Sequence, residues 1–340
     1  MGNIVNVAVL DDWQQLAPEM IDWSALTSRA EVTFFTRAFT DEDDAATQLA
    51  DFEVVLSMRE RTALPGSLIG RLKKLQMLGI TGAHNAALDL GACNMRGIIV
   101  CNTVMADASM AATSELALGL LLSAARRIPD ADRSVRDGRF QQGLPCGMRL
   151  EGKTIGILGL GRLGSLMAGY CKALQMRVQA WSPNLTAERA ASEGVLLVDR
   201  GELFSTSDVI SIHMVLSDRS RGLVGSQDIS RMRRGAILIN TSRGAIVEET
   251  ALVQAVEEKR IVAALDVFEA EPLPPGHPFA ELSNTVLTPH LGYVVCETMT
   301  EFYRQSRDNA LAFLDGHPMR VIFRFLTILL LNRSKAIGDR

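Results

Sequence analysis

The chain has 340 residues, 47% hydrophobic and 22% charged, with a formal net charge of −4 and a pI near 5.8. That length predicts two domains, and the composition predicts a folded globular protein rather than a disordered one. The acidic balance argues against a nucleic-acid surface, no apolar run approaches the ~18 residues that span a bilayer, and no secretory leader is visible, so a cytoplasmic protein without membrane contact is expected.

In chain order, residues 6–10, 54–57, 75–80 and 98–101 read as short apolar strands, with helical stretches at 43–51, 65–73 and 85–92 between them. Strands alternating with helices predict a parallel, doubly wound sheet. The turn after its first strand, VAVLDDW, is not a phosphate loop. A long helix is expected over 109–127, apolar at Leu116, Leu118, Leu120, Leu121 and Leu122. It reads equally as a core helix between domains or as part of a dimer interface.

A second unit begins near residue 152 with TIGILGLGRLG, residues 154–164. This is G-x-G-x-x-G after a strand and before a helix, the context a dinucleotide fingerprint requires. Gly159 allows the tight turn, Gly161 lets backbone approach a pyrophosphate, and Gly164 lets helix and strand pack closely. Free amides at the helix start would face the diphosphate. Strands are then expected at 177–181, 195–198, 208–213, 236–240, 262–266 and 285–287, a six-stranded count that fits such domains. A helix over 297–314 follows, and the run 325–331 is a sticky segment if exposed. Five scattered cysteines without a C-x-x-C pair predict reduced thiols, with no disulfide frame and no metal site.

Three groups stand at or near strand ends of the second unit: Arg243 in NTSRG, Glu271 in LDVFEAEP and His290 in LTPHLGY. Ligands lie outside the carboxyl ends of doubly wound strands, so the set suggests hydride transfer at a carbonyl beside a carboxylate. Arginine can grip a carboxylate with two parallel hydrogen bonds. Histidine can pass the proton near neutral pH, and a neighbouring acid holds the ring and favours the imidazolium. Glu269 competes with Glu271 for that place. His213 reads as a pocket border or a structural residue; His84, His277 and His317 read as loop residues. Arg59 and Arg61, in SMRERT, read as a solvated turn or as contacts to the far end of a substrate.

GLGRLG, NTSRG, LDVFEAEP and TPHLG, in that order, resemble the D-isomer-specific 2-hydroxyacid dehydrogenases over about residues 50–318. The resemblance implies two doubly wound α/β domains, a Rossmann-type nucleotide domain (104–295) and a discontinuous, flavodoxin-like substrate domain (1–103 and 296–340). It also implies a cleft between them and a homodimer built by the nucleotide domain. Arg243 would bind a small 2-keto or 2-hydroxy acid, with His290 as acid/base and Glu271 as its partner. Gly82 and Ala83 of the ITGAHN loop would offer amides to the carboxylate, with Arg59 nearby. Gly159, Gly161, Arg162, Leu163, Gly164, Ser182, Thr241 and Asp266 would meet the cofactor. Ser182 departs from the pattern, standing where an acid normally binds the ribose 2′-hydroxyl, so NAD is expected and NADP is possible. The tail after Val321 matches no motif of the family. An NAD(H)-sensing regulator on the same scaffold is the alternative; formate dehydrogenases of the superfamily carry Gln where Glu271 stands.

Overall fold

The computed structural model describes residues 4–104 and 111–323, which divide into two compact units: 4–104 with 296–323, and 111–295. The first unit is built on β1 (Val5–Val9), β2 (Ala30–Phe34), β3 (Val54–Ser57), β4 (Met77–Ile80) and β5 (Ile99–Asn102). They pair in parallel in the order β2-β1-β3-β4-β5. β3 and β4 are buried at every position, which is why they read as unbroken apolar runs. The edge strand β2 escaped the sequence reading because in its AEVTF segment only Ala30 is buried, Val32 and Phe34 are half-buried, and Glu31 and Thr33 are exposed. The expected helix at 85–92 is a second correction. Asn85 Oδ1 accepts the Ala87 N–H in a local turn, and the helix runs instead over Leu90–Met95, with Asp89 capping the Ala92 N–H.

The second unit holds β6 (Thr154–Leu158), β7 (Arg177–Trp181), β8 (Leu196–Leu197), β9 (Val209–Ile212), β10 (Ala236–Asn240), β11 (Ile261–Leu265) and β12 (Thr285–Leu287). All seven are parallel, in the order β12-β11-β10-β9-β6-β7-β8. The expected count of six omitted TIGIL itself, which is the central β6. Along β10, Ile237 and Ile239 enter one core while Ala236 and Leu238 enter the other, so both faces are covered. The long helix is Ala111–Arg126, packed on helix Arg162–Ala173 and on β10, β11 and β12. Its expected start at Ser109 lies outside the described residues. Glu115 and Gly119 are exposed, so the helix is not buried all round.

After helix Cys296–Leu314, β13 (Val321–Phe323) pairs antiparallel with β5 and closes that edge of the first sheet. Ile322 packs on the first unit's core. The apolar run 325–331 lies outside the described residues.

Just beyond β1, Asp11 is 2% exposed and adopts a φ of +64°, a conformation Asp tolerates. Its carboxylate accepts from Thr62 Oγ1 at 2.6 Å and from the Met58 N–H at 3.3 Å. Burial outweighs these bonds and the charge of Arg61, pushing its pKa from 3.8 up to about 6. A folded value above the unfolded one means stability that is complete below 3.8 and lost as pH rises through about 6. Asp11→Asn should abolish that slope. Denaturation across the window should show the wild type losing on the order of 3 kcal/mol relative to the variant; parallel curves would refute this.

Candidate active site

The turn after β6 is shaped by sterics. Gly159 has a φ of +102° and donates its N–H to Trp181 O at 2.9 Å. A Cβ there would lie 2.6 Å from His213 O, and a Cβ on Gly164 would lie 2.1 Å from Gly159 O. Only glycine therefore lets helix Arg162–Ala173 start so close to β6. Gly161 has open space where its Cβ would be, and no side chain caps the helix. Arg162 is exposed, while Leu163 is half-buried with its carbonyl accepting from Ser114 Oγ at 3.0 Å.

The parallel strands bring other residues to the same carboxyl edge. Ser182 follows β7, half-buried, its carbonyl accepting the Leu185 N–H at 3.1 Å. His213 follows β9; its Nε2 lies 2.8 Å from Ser211 Oγ, and burial pushes its pKa down to about 4, so the ring is neutral. Thr241 follows β10 and is buried. His213 Nδ1 and Thr241 Oγ1 are both enclosed without a hydrogen-bond partner. Buried polar atoms left unpaired are costly. Two of them beside a glycine cradle, on an edge with open space at Gly161, fit a bound dinucleotide. Among the described residues no group of three His, Cys, Asp or Glu is placed to hold a metal ion.

Arg243 is held by a turn that Asn240 builds. Asn240 Oδ1 accepts the Ser242 N–H at 3.0 Å and its Nδ2 donates to Arg243 O at 2.9 Å. Sequence reasoning missed Asn240, although an Asn closing a strand is a turn signal. The Arg243 guanidinium donates to Ser242 O at 2.7 Å, and its charge acts on Glu271. The carboxylate facing the histidine is that of Glu271, with Oε2 2.6 Å from His290 Nδ1 and Oε1 accepting the Phe268 N–H at 2.9 Å. Among the described residues, Glu269 is tied through its backbone N–H, which donates to Glu249. Burial alone would raise the Glu271 pKa, but the His290 bond and charge, the Phe268 N–H and Arg243 together hold it below the usual range. An anionic carboxylate accepts only, so His290 Nδ1 carries the proton and Nε2 is not engaged by Glu271.

Asp266 is 0% exposed and binds the histidine loop: Thr288 Oγ1 at 2.6 Å, Leu291 N–H at 2.7 Å and Gly292 N–H at 2.9 Å. Burial raises its pKa against these bonds. Its visible work is to hold the loop of His290, whose own φ is +55°. Thr288, which this clamp needs, carried no signal in sequence.

Arg59, Gly82 and Ala83 gather in the first unit, after β3 and β4. Arg59 donates to Thr81 O at 3.2 Å, and a Cβ on Gly82, whose φ is +87°, would lie 1.8 Å from Arg59 Nη1. The guanidinium thus rests on the Gly82 backbone. Gly82 is buried and Ala83 exposed. Arg61 is braced by Asp11 O, Gln14 Oε1 and the Trp13 ring rather than lying in a solvated turn.

A glycine turn at the carboxyl edge of a seven-stranded parallel sheet, with Arg, Glu and His on the same edge, defines a dinucleotide-binding protein. Residues 118–292 match the model of the D-isomer specific 2-hydroxyacid dehydrogenase, NAD binding domain. The chain belongs to the D-isomer specific 2-hydroxyacid dehydrogenase family. It is 36% identical over 274 residues to D-3-phosphoglycerate dehydrogenase of Archaeoglobus fulgidus, covering 80% of this chain and 51% of that protein. It is 38% identical over 259 residues to glyoxylate reductase of Aeropyrum pernix, covering 73% and 76%. A crystal structure of phosphoglycerate oxidoreductase from Vibrio cholerae is similar with a TM-score of 0.87 at 31% identity, covering 92% of this chain and 100% of that one. The chain spans about half the length of the D-3-phosphoglycerate dehydrogenases it matches.

Proposed function

We propose that the protein is an NAD(P)-dependent oxidoreductase that interconverts a small 2-keto acid and the D-2-hydroxy acid. The observation that carries this reading is the 2.6 Å His290–Glu271 bond beside the Arg243 turn in an NAD-binding domain. Gly159, Gly161, Arg162, Leu163, Gly164, Ser182 and Thr241 would hold the cofactor, with Asp266 behind them fixing the histidine loop. The nicotinamide cofactor, when held by these residues, would supply the hydride chemistry. Arg243 takes the substrate carboxylate through its planar fork. His290 Nε2 gives its proton to the carbonyl oxygen during reduction and recovers it during oxidation. Glu271 keeps Nδ1 protonated and the ring in one orientation. Arg59, Gly82 and Ala83 would make further contacts to the substrate.

Oxidation of NADH and NADPH with glyoxylate, hydroxypyruvate, pyruvate and bulkier 2-keto acids tests the reading. Cofactor binding without turnover of any of them would favour the regulator instead. The same assay addresses cofactor choice. With Ser182 in place of an acid, no carboxylate repels a 2′-phosphate, so Ser182→Asp should lower kcat/KM with NADPH about tenfold more than with NADH. An unchanged ratio would show that the 2′ position lies elsewhere.

We infer a homodimer formed by the second unit, supported by Ile128, Val135 and Phe140, large apolar side chains exposed on and just after helix Ile128–Arg136. Sedimentation at micromolar concentration should give twice the chain mass. A cytoplasmic location is supported by five free cysteines. Among the described residues no helix is long and apolar enough to cross a membrane.

A further inference from the structure

The segment that carries Glu271 leaves β11 and returns at the short helix Pro278–Glu281. It contains Pro272, Pro274 and Pro275, and most of it is exposed. At its tip Leu273 packs on a core of the second unit, while the Glu271 side chain is 33% exposed and its partner His290 24%. Yet their bond is short. Besides the Phe268 N–H bond to Glu271, a tie from another element holds the segment.

One carboxylate from another element closes its neck. Glu249, the first residue of helix Glu249–Glu257, places Oε1 3.1 Å from His277 Nε2 while Oε2 accepts the Glu269 N–H at 3.4 Å. A single side chain thereby ties the start of the excursion to its end. The tautomer of His277 is set by the same geometry. Its Nδ1 accepts the Phe279 N–H at 3.3 Å and so carries no proton, which leaves Nε2–H to donate to Glu249. Phe279, buried, lies with its ring 5.2 Å from the imidazole and anchors it.

The clamp also fixes the segment to the turn of Arg243. A Cβ on Gly244 would lie 2.0 Å from the Phe268 carbonyl carbon and 2.4 Å from the Glu269 nitrogen, so the two backbones are in direct contact. Gly244 opens the 3-10 turn Gly244–Ile246, and only Val247 and Glu248 lie between that turn and Glu249. The turn of Arg243 and the clamp are therefore in direct contact.

We propose that Glu249 and His277 form a positioning pair that holds Glu271 against His290 and sets its distance from Arg243. Neither residue touches the reacting atoms; both act through the segment between them. The inference rests on the oxidoreductase reading, and it assigns a role to a histidine that sequence alone leaves as a loop residue. Its cause is simple: with the neck open, the proline-rich tip samples positions in which Glu271 no longer reaches Nδ1, and the His290 ring loses its fixed orientation.

The test uses the full chain and the variants Glu249→Ala, His277→Ala and His277→Gln, the last because a Gln amide nitrogen can stand where Nε2 does. Each alanine variant should lower kcat about tenfold with KM for the keto acid nearly unchanged. The double variant should be no worse than either single one, because the two residues act as a unit. The pH profile of kcat/KM should move toward that of Glu271→Gln, and His277→Gln should recover most of the loss. A brace with no catalytic consequence would lower Tm and leave the profile in place. Wild-type kcat and profile in the alanine variants, or no rescue by His277→Gln, overturns the proposal. Hydrogen exchange at the Phe268 and Glu269 amides gives a readout independent of turnover. It should accelerate in Glu249→Ala, and unchanged exchange overturns the proposal. If the wild type reduces no 2-keto acid, the functional reading fails, and the exchange result still decides whether the clamp exists.

Discussion

His290→Asn is expected to lower kcat by about 10³-fold while cofactor affinity and fold survive. Asparagine is the informative replacement for two reasons. His290 sits at a φ of +55°, a conformation Asn tolerates better than alanine, so the backbone reversal that Asp266 holds need not change. An Asn amide can also stand near Nδ1 and keep a hydrogen bond to Glu271, leaving only the outward Nε2 missing. The loss then reports proton transfer alone. His290→Ala should lose at least as much kcat and some stability besides, because Glu271 is left without its shortest bond. The check is steady-state kinetics with the keto acid that the wild type reduces best, beside NADH binding by fluorescence. An Asn variant within about tenfold of wild-type kcat would mean that another group supplies the proton.

Where a function was written in contiguous residues, it was legible. Gly164 is needed because the Gly159 carbonyl leaves no room for a Cβ, so that steric demand and its answer lie within one short turn, although the obstacle at Gly159 itself is His213, from the neighbouring strand end. NTSRG carries its own scaffold in the same way, since Asn240 folds back on Ser242 and Arg243. Legibility stops where partners are distant in sequence. Glu249 and His277 are 28 residues apart and meet only because β10 and β11 are neighbours. Glu269 and Glu271 are both plausible acids from sequence. The Phe268 N–H turns Glu271 inward, a local bend that no periodicity reveals. β2 was missed for a related reason, because an edge strand with one wet face lacks the apolar run that marked its neighbours.

Arg243→Lys is expected to lower kcat/KM by about 10²-fold, although it conserves the charge. The guanidinium is fixed by its bond to Ser242 O and by the turn below it, so one planar face can be offered to a carboxylate in a set orientation. An ammonium presents a point charge with no such fork and keeps the electrostatic part only. Arg243→Ala removes both and should cost about tenfold more than the lysine variant. The pair of variants separates the two contributions through Glu271. The charge of Arg243 helps to hold the Glu271 pKa down, so its loss lets that pKa rise. A group with a depressed pKa is lost as pH falls, and the acid side of the kcat/KM profile should therefore move to higher pH in Arg243→Ala. In Arg243→Lys the profile should stay close to wild type while its height falls. If lysine restores near-full kcat/KM, Arg243 acts by charge alone and the bidentate grip on a carboxylate is not part of the mechanism. If both variants leave the profile unmoved, Arg243 is not electrostatically linked to the His290–Glu271 pair, and the three residues do not work as one site.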